Sequence, residues 1–184
     1  MIKPWPTIQS RPVADYRVFR LRSDVKVSPR TGQPHDFYVL EGVNWVNVVA
    51  LTRDQQVVMI EQYRHGTNTV ELEIPGGMMD AEDASPLAAG LRELREETGY
   101  EGVNGRIIGD IFPNPAIMSN VCYTVQVDTC ELRHPVAFDQ GEDLVTRLVP
   151  VGDVPRLIAE GRIKHSLVVV ALYHFELSHR FPRT

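Results

Sequence analysis

The sequence contains few cysteines and no long apolar run. Its two cysteines, Cys122 and Cys130, form no C-x-x-C pair and have no matching histidine cluster, so a zinc site and a redox site are not expected. Cys122 lies in an apolar segment and is expected to be buried. No apolar run approaches the roughly 20 residues that cross a bilayer, and residues 1–12 contain no apolar signal-peptide segment. We therefore expect a cytoplasmic protein without a membrane partner.

The charge balance and the missing motifs exclude further classes of protein. The net charge is −5, whereas a nucleic-acid-binding domain normally presents a basic surface, so no nucleic-acid partner is expected. The sequence lacks a G-x-G-x-x-G dinucleotide motif, a Walker loop and a Ser-His-Asp order. With 184 residues, 43% of them hydrophobic and 23% charged, the chain is typical of a globular domain with a substantial core.

The most informative stretch runs from Ile74 to Tyr100 and reads as a glycine-rich loop followed by an acidic helix. Ser85 is a favourable N-cap, and Pro86 suits the first helical position because its missing N–H costs nothing there. Gly99 supplies the left-handed residue that ends a helix. The predicted helix therefore spans residues 86–98. Its apolar stripe has the spacing i, i+4, i+7 and consists of Leu87, Leu91 and Leu94.

The opposite face of this helix carries Arg92, Glu93, Glu96 and Glu97. Glu93 lies three and four residues before the other glutamates, and like charges at these spacings destabilise a helix by about 0.2–0.5 kcal/mol per pair. A bound divalent cation would reverse that repulsion, and carboxylate oxygens suit Mg²⁺ or Mn²⁺. The alternative is a solvated face with arginine–glutamate pairs. The coincidence of the glycine-rich loop, the proline start and the glycine stop favours the cation site.

The remaining segments predict an α+β fold, a mixed sheet flanked by helices. Residues 16–27 and 36–41 predict a β-hairpin, which with the extended residues 1–13 forms an N-terminal unit of residues 1–43. Residues 44–184 form the second domain. Its predicted strands are 45–51, 57–60, 70–74, 105–112, 121–127 and 144–150. Its later predicted helices are 154–159 and 166–177. Ser166 is expected to cap the second of these helices. Its run of valines leaves a strand as the alternative.

The strand predicted at residues 70–74 leads directly into a Gly76-Gly77 loop. Its apolar residues alternate with Glu71 and Glu73, which therefore face the other side. Surface strands often carry exposed glutamates, so Glu73 is either solvated or, being next to the acidic helix, part of a site. Gly76 has no side chain, so its carbonyl can approach a metal ion closely.

These residues resemble the Nudix box, G-x5-E-x7-R-E-U-x-E-E-x-G-U, in which U is a bulky apolar residue. Residues 92–100, RELREETGY, match its second half throughout. The first half departs, because five residues after Gly77 lead to Asp83 instead of glutamate, and eight residues instead of seven precede Arg92. The loop is therefore one residue longer than the pattern, with Glu82 one place early.

Flanking segments resemble the branch of the Nudix family that comprises ADP-ribose and nucleoside-diphosphate-sugar pyrophosphatases. Residues 62–64 supply the Q-Y-R of that branch, and residues 72–77 read LEIPGG. Residues 141–143, followed by 149–151, are similar to its acidic loop, strand and short helix. The resemblance covers roughly residues 16–175.

The resemblance implies an α/β/α Nudix sandwich and Mg²⁺-dependent hydrolysis, with Mn²⁺ as the alternative ion. The substrate would be a nucleoside diphosphate linked to a sugar or ribose, giving a nucleoside monophosphate and a sugar phosphate. The metal ligands would be the Gly76 carbonyl, Glu93, Glu96 and Glu97.

The branch also implies roles for three further residues, beside the catalytic Glu96 and Glu97. Glu73 would lie near the metal or the substrate, and Glu142 would act as a base or hold another cation. Arg64 would bind the substrate diphosphate or ribose, because its planar fork suits phosphate oxygens; a salt bridge with a neighbouring acid is the alternative.

The branch further implies a homodimer in which the N-terminal unit crosses to the partner. A hairpin of this size buries little surface alone, which favours the same conclusion. Two other functions stay open: cleavage of nucleoside triphosphates or dinucleoside polyphosphates, and ligand sensing without catalysis.

Overall fold

The computed structural model describes residues 1–181, which form two compact units. The first unit comprises residues 1–44 and 112–121, and the second comprises residues 45–111 and 122–181. An antiparallel sheet makes up most of the first unit, and the second contains a mixed sheet with helices, so the predicted α+β class is confirmed. None of the helices within the described residues has the length and apolar character needed to cross a membrane.

The first unit contains a three-stranded antiparallel sheet rather than the predicted hairpin alone. Its strands are β1 (Thr7–Asp15), β2 (Arg20–Val27) and β3 (Pro34–Glu41), in that spatial order. The hairpin of β2 and β3 is confirmed. The sequence did not identify β1, because its proline at position 12 discourages a strand assignment. A proline is tolerated on an edge strand, and the pairing of β1 with β2 is irregular directly after Pro12.

Residues 112–121 join the same unit as an irregular segment, as their two prolines predict. The Leu40 N–H donates to the Ile117 carbonyl at 2.7 Å, and the Ser119 N–H donates to the Leu40 carbonyl at 3.2 Å. These bonds attach the segment to β3 and satisfy part of its backbone.

The second unit is organised around a seven-stranded sheet, in which β4 and β9 run parallel at the centre. The principal order is β10–β5–β4–β9–β8, while β6 pairs with β5 and β7 pairs with β4. The strands are β4 (Trp45–Thr52), β5 (Gln56–Arg64), β6 (Thr69–Glu73), β7 (Gly76–Met78), β8 (Tyr100–Ile111), β9 (Cys122–Leu132) and β10 (Leu144–Pro150).

Helices pack on this sheet through two apolar clusters. One cluster joins Val48, Ala50 and Val58 to Leu94 of helix α1, which spans Pro86–Thr98. The other joins Val49 and neighbouring strand residues to the helices α2 (Val154–Ala159) and α3 (Ser166–Arg180). Alternate residues of β4 point into opposite clusters, which is why the strand reads as a continuous apolar run. Both cysteines are buried and free.

Helix α1 has the bounds predicted from its caps. The Ser85 side chain accepts the Ala88 N–H at 3.1 Å, Pro86 opens the helix, and Gly99 closes it at φ 73°. Local capping residues decided both ends, so no knowledge of the tertiary fold was needed.

Helix α3 begins where predicted, but the capping prediction was wrong. The N-cap is His165 rather than Ser166, and no side chain of the described residues caps the helix. The run Val168–Val170 is helical, so the alternative of a strand is excluded. Burial of Val168 and Ala171 against the sheet outweighs the weak helix propensity of valine.

Candidate active site

Helix α1 buries two of its glutamates. Glu93 is 7% exposed and Glu97 is 2% exposed, and we call these two residues the acidic pair. The sequence placed them on a face opposite the leucine stripe. In the structure they lie beside Leu94 on the buried side, whereas Leu91 is exposed. The buried face of α1 is therefore wider than the stripe, and the alternative of a solvated acidic face does not describe the acidic pair.

The acidic pair packs against the two glycines of β7. The Gly76 N–H donates to Glu97 Oε2 at 2.9 Å. A Cβ atom at Gly77 would lie 2.6 Å from Glu93 Oε1, closer than real atoms approach. The sequence predicted a loop here, because glycines discourage strands, but residues 76–78 pair with β4. This pairing fixes the glycine backbone against the carboxylates.

Burial without sufficient compensation raises the pKa of both members of the acidic pair and so favours their protonated forms. Burial raises the pKa of Glu93 from 4.5 to about 7, against the opposing charge of Arg92. Burial raises the pKa of Glu97 to about 9, although the Gly76 N–H opposes the shift; the Glu93 and Glu142 carboxylates add to it. Such carboxylates gain most from a nearby cation, and their oxygens are the hard ligands that Mg²⁺ takes.

Arg92 connects the acidic pair to the preceding loop. Its Nη1 donates to Glu93 Oε1 at 3.0 Å and to Glu96 Oε2 at 2.9 Å, and its Nη2 donates to Asp83 Oδ2 at 2.9 Å. Asp83 also accepts the Asp80 N–H, and the hydrogen bond from Arg92 lowers its pKa. Asp83 therefore anchors Arg92 despite the extra loop residue.

The predicted trio of Glu93, Glu96 and Glu97 is not gathered around one point. Glu96 is half-buried and turns toward Arg92. Within residues 1–181, no three acidic, histidine or cysteine side chains are arranged to hold one ion. The acidic pair and the glycine backbone fit a cation by their chemistry, and Glu96 reaches the same arginine as Glu93.

A third buried carboxylate, that of Glu73, is bound by two basic side chains. Arg64 Nε donates to Glu73 Oε1 at 2.8 Å, and Arg64 Nη2 donates to Oε2 at 2.7 Å. His165 Nδ1 lies 2.8 Å from the same Oε2. Burial favours the protonated acid, but the hydrogen bonds from Arg64 and His165 outweigh it and lower the pKa of Glu73 to about 2.

The sequence did not predict this cluster in full. Glu73 is 1% exposed, whereas Val70 of the same strand is 67% exposed, so the expected apolar side of β6 is only partly buried. The salt bridge that was the alternative for Arg64 is present. His165 was missed because it lies 92 residues from Glu73, and only the position of a histidine before a helix start offered a signal.

Glu142 lies in the loop before β10. The Glu142 Oε2 atom accepts a hydrogen bond from the Asp139 N–H at 2.9 Å, and Glu142 is half-buried. Its charge contributes to the raised pKa values of both members of the acidic pair. The structure therefore brings the loop acid within electrostatic range of the site.

A cavity of about 350 Å³ adjoins the glycines of β7. Apolar atoms form most of its wall, and three polar side chains enter it. The lining residues are Trp45, Val46, Asn47, Arg64, Gly76, Gly77, Met78, His165 and Leu167. The volume suits a small organic group such as a sugar.

Comparison with known proteins agrees with this geometry. The chain is 26% identical to an ADP-ribose pyrophosphatase of Mycobacterium tuberculosis, over 90% of this chain and 80% of that protein. It is 29% identical to the mouse ADP-sugar pyrophosphatase, over 84% of this chain and 71% of that protein. It is also 27% identical to a methanol dehydrogenase activator of Bacillus methanolicus, over 93% and 92% of the two chains.

The fold and the family follow from two further matches. A crystal structure of an ADP compounds hydrolase superposes with a TM-score of 0.85, covering 100% of this chain and 99% of that one at 20% identity. This likeness establishes the fold. The model of the NUDIX domain matches residues 42–169, well over half of the sequence. The chain therefore belongs to the NUDIX family and is a hydrolase of that family.

Proposed function

We propose that this protein hydrolyses the diphosphate bond of a nucleoside diphosphate linked to a sugar or ribose, with Mg²⁺ as cofactor. The observation that carries the proposal is the acidic pair, two buried carboxylates held against a glycine backbone, with Arg92 bonded to Glu93 alone of the two. The names of the relatives that act on ADP-ribose and ADP-sugars support this choice of substrate.

Glu93, Glu97 and the Gly76 carbonyl would hold the metal, and Glu96 would join them by leaving Arg92. Bound Mg²⁺ supplies positive charge that neutralises phosphate oxygens and favours attack by water on phosphorus. Mn²⁺ suits the same oxygen ligands. Arg92 also donates hydrogen bonds to Asp83 and to the Met78 carbonyl, so its position would be kept when Glu96 leaves it.

The protein residues would orient the substrate and accept the proton. Arg64 is fixed by Glu73, which leaves its Nη1 to bind a phosphate oxygen. The charge of Glu142 contributes to the raised pKa of Glu97. Glu142 would accept the proton of the attacking water. Water forms the new P–O bond, the bridging P–O bond breaks, and two phosphate monoesters leave.

We also propose that the protein is a cytoplasmic homodimer. The first unit exposes apolar side chains of its sheet and of the turn between β1 and β2, and a second copy would cover them. They are Ile8, Val13, Tyr16, Val18, Phe37 and Tyr38. The two free, buried cysteines fit a reducing compartment.

The test is hydrolysis by purified protein of a panel of diphosphates with Mg²⁺ or Mn²⁺. We expect AMP and ribose 5-phosphate from ADP-ribose, or the corresponding products from a nucleoside-diphosphate sugar. Faster cleavage of nucleoside triphosphates or dinucleoside polyphosphates would favour that alternative. Tight binding of such a ligand with no cleavage by any member of the panel would contradict the proposal and favour a sensor.

A further inference from the structure

The Glu73 carboxylate is held by side chains from two different parts of the chain. Arg64 binds both of its oxygens, with Nε 2.8 Å from Oε1 and Nη2 2.7 Å from Oε2. His165 Nδ1 lies 2.8 Å from Oε2. An ionised carboxylate can only accept hydrogen bonds, so His165 Nδ1 must carry the hydrogen and donate it. His165 therefore acts on Glu73 through one defined atom.

Of these three residues, His165 is the one attached directly to a packed helix. It precedes α3, in which Val168 and Ala171 are buried in the apolar core. Glu73 ends β6, and no other residue of that strand is buried. Arg64 ends β5, and its side chain is 40% exposed. The hydrogen bond from His165 therefore ties the carboxylate to the most firmly packed element near it.

The orientation of Arg64 depends on that of the carboxylate. Two parallel hydrogen bonds fix the guanidinium plane relative to the carboxylate, but they do not fix the carboxylate itself. The terminal torsion of a glutamate is only weakly restricted, so a further donor is needed to hold it. His165 supplies that donor, and it thereby also determines where the Arg64 guanidinium lies in the wall of the cavity.

We propose that His165 is a positioning residue for the reaction: by fixing the Glu73 carboxylate, it holds the Arg64 guanidinium in the orientation that binds the substrate. The role of Arg64 toward the substrate rests on the proposed function, whereas the effect of His165 on Arg64 does not. Arg64 binds the substrate before and during the chemical step alike. Loss of the hydrogen bond from His165 should therefore raise KM and leave kcat nearly unchanged.

Three substitutions at His165 separate this role from a structural role and from a direct contact with the substrate. His165→Asn keeps an N–H donor at the δ position, like Nδ1, whereas His165→Ser is too short to reach Glu73. Asparagine and serine are both favourable N-cap residues, so α3 keeps its start and both variants should fold. His165→Gln places its N–H donor at the ε position, like Nε2, and so reproduces the ring nitrogen that does not bind Glu73.

The kinetic test uses ADP-ribose and Mg²⁺. His165→Ser should raise KM about tenfold and change kcat less than about threefold. His165→Asn should return KM to within about threefold of the wild type, and His165→Gln should not. In a Glu73→Gln background, His165→Ser should cause no further loss, because the anion through which His165 acts is already gone. His179→Ser, at the exposed end of α3, is the matched control and should leave KM unchanged.

A measurement on the free protein tests the positioning without any substrate. The Arg64 Nε–H, which donates to Glu73, is assigned in nitrogen NMR spectra by the loss of its signal in Arg64→Lys. We expect its hydrogen exchange with water to be about tenfold faster in His165→Ser than in the wild type, because the bond to Glu73 opens more often. In His165→Asn the exchange rate should stay close to that of the wild type.

Unchanged exchange of the Arg64 Nε–H in His165→Ser would overturn the proposal, as would faster exchange with an unchanged KM. A KM effect that adds fully to that of Glu73→Gln, or that glutamine rescues better than asparagine, would also overturn it, because both results indicate a direct contact with the substrate. Hydrolysis of ADP-ribose that is indifferent to His165→Ser would reject only the positioning role. The expected change in exchange, without hydrolysis of any diphosphate, would reject only the proposed function.

Discussion

Glu73 and the acidic pair are both buried, but they differ in the groups that bind their carboxylates. Glu73 is surrounded by Arg64 and His165, which hold its pKa near 2. Glu97 has one backbone N–H and two acidic neighbours, and its pKa is raised to about 9. The two residues are buried to a similar degree, since Glu73 is 1% exposed and Glu97 is 2% exposed. The comparison shows that partners decide the charge: Glu73 is an anion anchored by two basic side chains, whereas Glu97 accepts its hydrogen bond from the Gly76 N–H.

The strongest way to test this difference is to remove the carboxylate of Glu97. Glu97→Gln should lower turnover by about three orders of magnitude, because the amide cannot serve as an anionic metal ligand. The metal-free protein should nevertheless become more stable above about pH 7, because the folded state no longer has to keep this side chain protonated at a pH where the unfolded state ionises it. Steady-state kinetics and thermal melting measure the two effects. Glu176→Gln, on the exposed side of α3, should change neither, and an unchanged turnover for Glu97→Gln would remove this residue from the mechanism.

The opposite response is expected at Glu73. Glu73→Gln leaves Arg64 and His165 without their common anion, so the protein should lose about 2 kcal/mol of unfolding free energy, less than for a fully buried pair because Arg64 is partly exposed. Activity should fall about a hundredfold, since Arg64 loses its position. Urea unfolding and kinetics measure this. Glu71→Gln, two residues earlier on β6, is the control; an equal loss there would contradict a specific role for Glu73.

A smaller loss of activity is expected when Gly77, which packs against Glu93, is changed. Gly77→Ala places a Cβ atom 2.6 Å from Glu93 Oε1, so the carboxylate must shift, and we expect about a tenfold loss of activity. Gly141→Ala is the control, because a Cβ atom there meets nothing within 4 Å. Full activity of the Gly77→Ala variant would show that the position of Glu93 is not critical.

The smallest effects concern how the stability of the fold changes with pH. Glu97 and Glu73 are expected to change it in opposite directions. The folded pKa of Glu97 is raised, so its burial costs stability as pH rises from about 4.5 to 9. The folded pKa of Glu73 is lowered, so its contribution is present above about 4.5 and is lost as pH falls toward 2.

Urea midpoints in EDTA measure these two trends. Wild-type stability should fall by of order 1 kcal/mol or more between about pH 6 and 9, and Glu97→Gln should remove most of that slope. A slope equal in the wild type and the variant would show that Glu97 does not carry the proton.

The helix of the site could be predicted from the sequence, but the partners of the carboxylates could not. Ser85, Pro86 and Gly99 act locally, so both ends of α1 followed from them. Glu73 and His165 lie 92 residues apart in the chain, and only the tertiary fold brings their side chains together. The pairing of β7 was missed for the same reason, because Gly76 is held by a strand distant in sequence.

The central claim is that the acidic pair holds a proton in the metal-free protein and exchanges it for a cation. The most direct measurement is the number of protons released when Mg²⁺ binds, from calorimetry in two buffers of different ionisation enthalpy. At about pH 8 the wild type should release about one proton, and Glu97→Gln far less, because Glu97 is mostly protonated at this pH before the metal binds. Binding of Mg²⁺ to the wild type without proton release would contradict the account.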